Sequence, residues 1–133
     1  MRSTGELPWS WQVPEANLPS AIAEAAAEFD AEDGTLAVIV PFSRLEEVTA
    51  VVRAIVPSAS IDGDLTNGAV VITPEGSKGL EFDSVLVADP VGIITEGVRG
   101  HNDLYVALTR ATQRLGVVHA GELPPELKGL DPR

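Results

Sequence analysis

The chain of 133 residues has the size of one domain, and its 44% hydrophobic content and mean hydropathy of +0.14 exclude a wholly disordered protein. It carries 20 acidic and 9 basic residues, and the resulting net charge of -11 argues against a broad nucleic-acid-binding surface. Cysteine is absent, which excludes disulfides, thiolate zinc sites and cysteine nucleophiles. Because the sequence has neither a membrane-spanning apolar run nor a signal-peptide pattern at its start, a cytoplasmic domain is expected.

Four short apolar runs, rich in β-branched residues, are separated by helical patterns along the chain. The runs contain no regular alternation with polar residues, as expected for strands buried on both faces of a parallel sheet. They are Leu36–Val40, Ala69–Ile72, Val85–Ala88 and Leu115–Val118. This order predicts an α/β fold, a parallel β-sheet with helices on both faces.

Three segments between the apolar runs are predicted to be helical. Pro19–Asp30 is rich in alanine and glutamate, and its leading proline suits a first helical turn. Ser43–Ile55 begins with a serine and has Glu46 three positions later, which is the spacing of a capping box. The third helix, predicted over Asn102–Gln113, would present Arg110 from its surface.

The pattern divides the chain into three parts. Residues 1–34 are predicted to contain an extended segment, packed on the surface, followed by the first helix. Residues 35–120 form the α/β domain. Residues 121–133 contain three prolines and are predicted to be an irregular tail.

The segment from Thr73 to Asp83 directly follows a buried strand, a position where α/β sheets bind ligands. Its turn Gly76-Ser77-Lys78-Gly79 can offer backbone N–H groups and one ammonium to a phosphate. It is not a Walker A loop, because the G-x-x-x-x-G-K-[ST] spacing is absent. Taken alone, the segment is better explained as a surface loop that carries a solvated lysine.

A second segment, Asp103–Arg114, contains a possible catalytic arginine. On a helix, Val106, Arg110 and Arg114 would share one face. An arginine on a rigid element can stabilise charge on a transferring phosphoryl group. Taken alone, Arg110 is better explained as a surface arginine near Asp103.

Together and in this order, the two segments resemble motifs V and VI of UvrD/Rep-type superfamily 1 helicases. The family strings are close to T-x-H-x-A-K-G-L-E-F and Y-V-A-x-T-R-A. The resemblance covers roughly residues 35–120 and implies the second, C-terminal RecA-like domain of such a helicase, without a Walker A loop of its own. The matching positions are Lys78, Gly79, Leu80, Glu81 and Phe82, then Tyr105, Val106, Ala107, Thr109, Arg110 and Ala111.

The resemblance implies that these residues complete an ATP site. Arg110 would be the catalytic arginine finger that reaches the γ-phosphate, where it stabilises charge that develops in the transition state. Lys78 and Gly79 would lie beside the phosphates, and Glu81 would accept hydrogen bonds from the ribose. The ligands of the accompanying Mg²⁺ are expected on the N-terminal RecA-like domain, which is the implied partner of this domain.

The same resemblance implies that Thr73 and Thr109 contact single-stranded DNA. The sequence departs from the family pattern beside both positions. Glu75 stands where the family usually has a histidine, and Asn102 and Asp103 stand where basic residues are common.

Two other functions are compatible with the same motifs. The interval between Val51 and Ala69 is too short for the accessory domain that typical members insert before motif V. In this compact form the chain resembles the helicase IV (HelD-like) branch. Some members of that branch act on RNA polymerase, so an ATPase that remodels RNA polymerase is one alternative. A non-catalytic RecA-like scaffold is the other. Without a Walker A lysine and a Walker B acid, the chain by itself is expected not to hydrolyse ATP.

Overall fold

The strands form one parallel sheet. The computed structural model describes residues 7–31, 34–57, 59–61 and 69–132. The strands are β1 (Trp9–Gln12), β2 (Leu36–Ile39), β3 (Ser60–Ile61), β4 (Ala69–Ile72), β5 (Phe82–Ala88), β6 (Ala111–His119) and β7 (Asp131–Pro132). They pair in the order β3-β4-β2-β5-β6-β1-β7, and every pairing is parallel. The four predicted strands are β2, β4, β5 and β6, so the predicted sheet is confirmed.

The helices connect these strands. They are α1 (Leu18–Asp30), α2 (Leu45–Ile55), α3 (Pro90–Glu96) and α4 (Gly100–Leu108). Short 3-10 turns lie at Glu15–Asn17, Phe42–Arg44, Glu75–Ser77 and Pro125–Leu127. Within the described part of the chain, no helix has both the length and the apolar character needed to cross a bilayer.

The sheet has a separate hydrophobic core on each face. In β2, Leu36 and Val38 point to a core that α1 and α2 complete. The alternate residues Ala37 and Ile39 point to a core completed by α3 and α4. Because side chains of a strand alternate between faces, a run that is apolar throughout requires apolar partners on both sides. The predicted placement of helices on both faces is therefore confirmed.

Strand β1 corrects the prediction for the start of the chain. The expected extended segment is not packed on the surface, because residues 9–12 lie inside the sheet between β6 and β7. Trp9 pairs with Gly116, and a side chain at Gly116 would overlap the Trp9 indole, so glycine makes room for the ring. Residues 1–6 and 32–33 of the predicted segment 1–34 lie outside the described residues.

The start of α2 corrects the predicted capping box. A 3-10 turn occupies Phe42–Arg44, α2 begins at Leu45, and no side chain caps the helix from within. Instead, the Glu96 carboxylate at the end of α3 accepts hydrogen bonds from the backbone N–H groups of Phe42 and Ser43, at 2.6 and 2.7 Å. The negative charge of this carboxylate also interacts favourably with the positive end of the α2 dipole.

The end of α4 corrects the helix predicted over Asn102–Gln113. The helix ends at Leu108, Thr109 and Arg110 form a turn, and β6 begins at Ala111. The segment from Ala111 extends β6 because it pairs with the start of β5, and this ladder outweighs a local helical preference. Arg110 consequently lies on a turn between helix and strand rather than on a helix surface.

Asp89 connects the end of β5 to the starts of α2 and α3. Its backbone is left-handed, at φ +57°, a conformation that aspartate tolerates better than most residues. Oδ1 accepts a hydrogen bond from the Gly92 N–H at 3.1 Å, and Oδ2 accepts one from Arg44 Nε at 2.6 Å. Burial alone would lower the pKa of Arg44, but the carboxylates of Glu15 and Asp89 outweigh it and raise that pKa, so the guanidinium stays charged.

Substitution of Asp89 is expected to destabilise the fold. Asp89→Ala removes the cap of α3, takes from the partly buried Arg44 its shortest ion pair and places alanine in a left-handed conformation, at a total cost of about 2–4 kcal/mol. Asp89→Asn keeps the cap and is expected to cost about half as much. Urea unfolding measures both. Glu47→Ala is the control, since Glu47 lies 3.6 Å from Arg44 and is half exposed. Equal losses for Asp89→Ala and Glu47→Ala would contradict this role.

Candidate functional site

The predicted site residues lie at two opposite edges of the sheet. Thr73 follows the last residue of β4, at the edge where the parallel strands end, here called the carboxyl edge. Glu81 and Arg110 directly precede the first residues of β5 and β6, at the opposite, amino edge. The segment from Thr73 to Asp83 was predicted to lie at the carboxyl ends of strands. This is right for Thr73 and wrong for the residues near Glu81.

The strand register gives the separation of the two edges. Ala69 of β4 and Ser84 of β5 both pair with Leu36 of β2, so they lie at one level of the sheet. Thr73 is four residues beyond Ala69, and Glu81 is three residues before Ser84. At about 3.3 Å per residue, the two positions are roughly 20 Å apart along the strand direction. One nine-residue connection, residues 73–81, crosses this distance.

Hydrogen bonds hold the Arg110 side chain at the amino edge. Nε donates to the Val106 carbonyl at 3.0 Å, and Nη1 donates to the Leu80 carbonyl at 3.2 Å. Nη2 donates to Thr109 Oγ1 at 3.2 Å. The backbone carbonyl of Arg110 also accepts from the Phe82 N–H at 2.9 Å. Arg110 therefore joins the turn at residues 109–110, here called the motif VI turn, to the connection of residues 73–81, here called the motif V loop.

The motif V loop is open on its outer side. Lys78 and Glu81 are exposed. Gly79 has a φ of +80°, and a Cβ built on it would meet nothing within 4 Å. This conformation suits glycine, and the open space leaves the backbone accessible to a ligand. The structure thus brings Arg110 into contact with Leu80 and Phe82, and Lys78 and Gly79 directly precede this contact in the chain.

Thr73 is positioned by a turn at the carboxyl edge. Its hydroxyl oxygen accepts the Gly76 N–H at 3.1 Å, and its carbonyl accepts the Ser77 N–H at 3.1 Å. The buried Ser77 hydroxyl donates to the Pro74 carbonyl at 2.7 Å. The Thr73 hydroxyl can still donate its hydrogen to an acceptor outside the chain.

A groove of about 300 Å³ lies beside Thr73 at the carboxyl edge. Its lining is partly acidic, and one exposed aromatic ring, Phe42, stands at its rim. A phosphate in this groove would be repelled by nearby carboxylates. The lining residues are Phe42, Thr73, Pro74, Glu75, Ile93, Glu96, Gly97 and Asp103.

The two threonines predicted to contact DNA do not lie together. Thr109 is at the amino edge, where its hydroxyl donates to the carbonyls of Tyr105 and Val106, each at 3.0 Å. The same oxygen accepts from Arg110. A single strand that contacted both Thr73 and Thr109 would have to span the roughly 20 Å between the two edges.

Sequence reasoning missed the groups that hold the site in place. The Leu80 carbonyl is a backbone atom, and no side-chain pattern identifies it as a partner of Arg110. Asp83 was also not singled out for a role, although its Oδ2 accepts from the Thr35 N–H at 2.8 Å and fixes the start of β5 to that of β2. The left-handed Gly34 packs against this carboxylate, and that neighbouring glycine was the available signal.

Comparison with protein families identifies the segment that carries both motifs. Residues 68–118 match the model of the UvrD-like helicase C-terminal domain. The family resemblance predicted from the motifs is confirmed. The matched UvrD-like segment runs from the start of β4 to the end of β6 and includes every predicted site residue. No curated protein matches the sequence significantly.

Solved structures show the same fold. The C-terminal domain of a possible DNA helicase from Lactobacillus plantarum WCFS1 has a TM-score of 0.74 and 27% identity, over 93% of this chain and 80% of that chain. The arterivirus nonstructural protein 10 helicase, solved with DNA, has a TM-score of 0.58 and 12% identity, over 95% of this chain and 34% of its own. The Sulfolobus solfataricus SWI2/SNF2 ATPase core, solved with double-stranded DNA, has a TM-score of 0.58 and 12% identity, over 92% of this chain and 29% of that chain. At 12% identity, the last two support the fold alone.

Proposed function

We propose that this chain is the C-terminal RecA-like domain of an ATP-dependent superfamily 1 DNA helicase. The observation that carries the proposal is the contact between Arg110 and the motif V loop at the amino edge. In this role the domain completes an ATP site whose Walker A loop and Mg²⁺ ligands lie on an N-terminal RecA-like domain. The two domains act together in the cytoplasm.

The amino edge supplies the chemistry that this role needs. The Arg110 guanidinium is bonded to the Leu80 carbonyl, and the two residues that precede Leu80 in the chain are Gly79, with its open backbone, and the exposed Lys78. Two positive groups and an accessible backbone suit a triphosphate, and Glu81 can accept hydrogen bonds from a ribose. Arg110 is the catalytic residue in this proposal, because a fixed cation stabilises the charge that spreads over the transferring phosphoryl oxygens.

The carboxyl edge supplies the contact with DNA. In this proposal the Thr73 hydroxyl donates to a phosphate oxygen of a single strand, and the contact is local and weak because the carboxylates that line the groove beside Thr73 repel the phosphate. Residues 73–81 link this position to the ATP site, because Thr73 fixes their first turn and the Leu80 carbonyl is bonded to Arg110. A change at the phosphates is in this way transmitted to the strand. The low positive charge of the domain fits a small contact, with most phosphate-binding residues on other domains.

The function is tested by ATP hydrolysis in the complete natural protein, with and without oligo(dT). The complete protein is expected to hydrolyse ATP and to be stimulated by the oligonucleotide, whereas the isolated 133-residue chain is expected to show no turnover in either condition. Phosphate release measures the rate. Turnover by the isolated chain, or a complete protein that hydrolyses no ATP, would contradict the proposal.

A second candidate function is a HelD-like ATPase that binds and remodels RNA polymerase. The acidic lining of the groove beside Thr73 favours it, since Glu75, Glu96 and Asp103 repel phosphates and attract a basic protein surface. Binding of the complete protein to RNA polymerase and to oligo(dT), measured at several salt concentrations, separates the two functions. Tight polymerase binding without stimulation of the ATPase by DNA would favour this candidate.

A further inference from the structure

The hydrogen bonds around Arg110 fix its guanidinium on three sides. They join Nε to the carboxyl-terminal turn of α4 through Val106, Nη1 to the motif V loop through Leu80, and Nη2 to the Thr109 hydroxyl. The Thr109 hydroxyl is itself fixed, because it donates to the last carbonyls of α4. A hydroxyl that donates in one direction accepts in another, so Thr109 accepts from Arg110 without losing its own bonds.

The three bonds leave a specific pair of donors. A guanidinium has five N–H groups, one on Nε and two on each Nη. One bond from each nitrogen therefore leaves one N–H on Nη1 and one on Nη2. Two N–H groups of a planar guanidinium match two oxygens of one phosphoryl group in a bidentate contact. One N–H on each Nη therefore remains available to donate to a phosphoryl oxygen.

We propose that Thr109 is a positioning residue for Arg110, and that together with the Leu80 carbonyl it holds the guanidinium ready for a bidentate contact with a phosphoryl group. The proposal rests on the function proposed above for Arg110. It gives Thr109 a role at the ATP site, at the edge of the sheet where its hydroxyl lies. Preorganisation of this kind lowers the barrier because the donors need no rearrangement as charge develops.

The test compares Thr109→Val with Thr109→Ser in the complete natural protein. Valine has nearly the shape of threonine but no hydroxyl, and we expect kcat for ATP hydrolysis to fall about tenfold with little change in KM. Serine restores the hydroxyl and is expected to stay within about twofold of the natural protein. Thr112→Val is the matched control, because its hydroxyl donates to the Phe82 carbonyl at 3.3 Å and does not contact Arg110.

A double-mutant comparison separates positioning from a general effect on the fold. In an Arg110→Ala background, Thr109→Val is expected to have no further effect on kcat, because the group that it positions is gone. An equal loss in both backgrounds, or an equal loss for Thr112→Val, would overturn the proposal. If Arg110→Ala leaves kcat unchanged, the proposed function fails; if only Thr109→Val leaves kcat unchanged, this inference alone fails.

The isolated chain provides a second measurement that needs no catalysis. NMR of the Arg110 side chain is expected to show slow rotation of the Nη2 group in the natural chain and in Thr109→Ser. In Thr109→Val the rotation is expected to become fast, while the backbone spectrum outside the turn stays the same. Fast rotation in the natural chain would show that the guanidinium is not held, and would overturn the proposal.

Discussion

Arg110→Ala in the complete natural protein is expected to lower kcat for ATP hydrolysis by about 10³–10⁵, the range that arginine fingers contribute. The loss should appear mainly in kcat, because the interaction strengthens as charge spreads over the phosphoryl oxygens in the transition state. Arg110→Lys keeps the charge but loses the planar fork and the bonds to Val106, Leu80 and Thr109. We expect lysine to recover only a small part of the activity, as measured by steady-state phosphate release.

Arg53→Ala is the matched control for that experiment. Arg53 is an exposed residue in the last turn of α2, so its loss changes the net charge equally without touching the amino edge. Its kcat is expected to remain within about twofold of that of the natural protein. Thermal unfolding of the isolated Arg110→Ala chain checks that the turn still folds. If Arg110→Ala and Arg53→Ala have the same kcat, Arg110 is not the finger.

Gly100→Ala is expected to have a large effect on stability. Gly100 is buried where α3 and α4 meet, and a Cβ there would overlap the backbone carbonyl of Ile94. Backbone atoms cannot move aside as a flexible side chain can, so α4 must shift away from α3. We expect a loss of about 3 kcal/mol in the free energy of unfolding, measured with urea. In the complete protein, kcat should also fall, because α4 carries the turn that holds Arg110.

Gly97→Ala is the control for the glycine experiment. Gly97 lies three residues earlier and is exposed, and a Cβ there would meet nothing within 4 Å. Its φ of −138° is accessible to any residue. Alanine at this position is expected to change the free energy of unfolding by less than about 1 kcal/mol, with a stabilising sign from the reduced freedom of the unfolded chain. A large loss for Gly97→Ala, or none for Gly100→Ala, would contradict the close approach.

The fold was predictable where burial alone determines the pattern. Runs such as Leu36–Val40 are apolar at every position, and only a strand with a core on each face accommodates this. The strand β1 was missed because Trp9 and Trp11 lie among polar residues and prolines. Its place is determined by Gly116, more than 100 residues later, which leaves room for the Trp9 ring. A pairing over that distance leaves no local signal.

The grouping of the candidate site residues was predictable in part, but their geometry was not. The motif strings grouped Lys78, Gly79, Glu81 and Arg110, and the structure brings Glu81 and Arg110 to one edge and bonds Arg110 to Leu80, the residue after Gly79. The sequence predicted a helix through Arg110, because Leu104, Leu108 and Ala111 have the spacing of one buried helix face. Pairing of Ala111 with Phe82 ends the helix early and turns the arginine back onto the Leu80 carbonyl. Tertiary pairing, rather than local propensity, therefore sets the direction of the guanidinium.

The position of β1 also has a consequence for synthesis of the protein on the ribosome. Trp9 is among the first described residues to emerge, but its partner Gly116 emerges 107 positions later. At about 5–20 residues per second, β1 waits roughly 5–20 s for the strand against which it pairs. During that time two tryptophans and an unpaired strand are exposed to other proteins. Chaperone contact during synthesis is therefore expected to concentrate on the first strand of the chain.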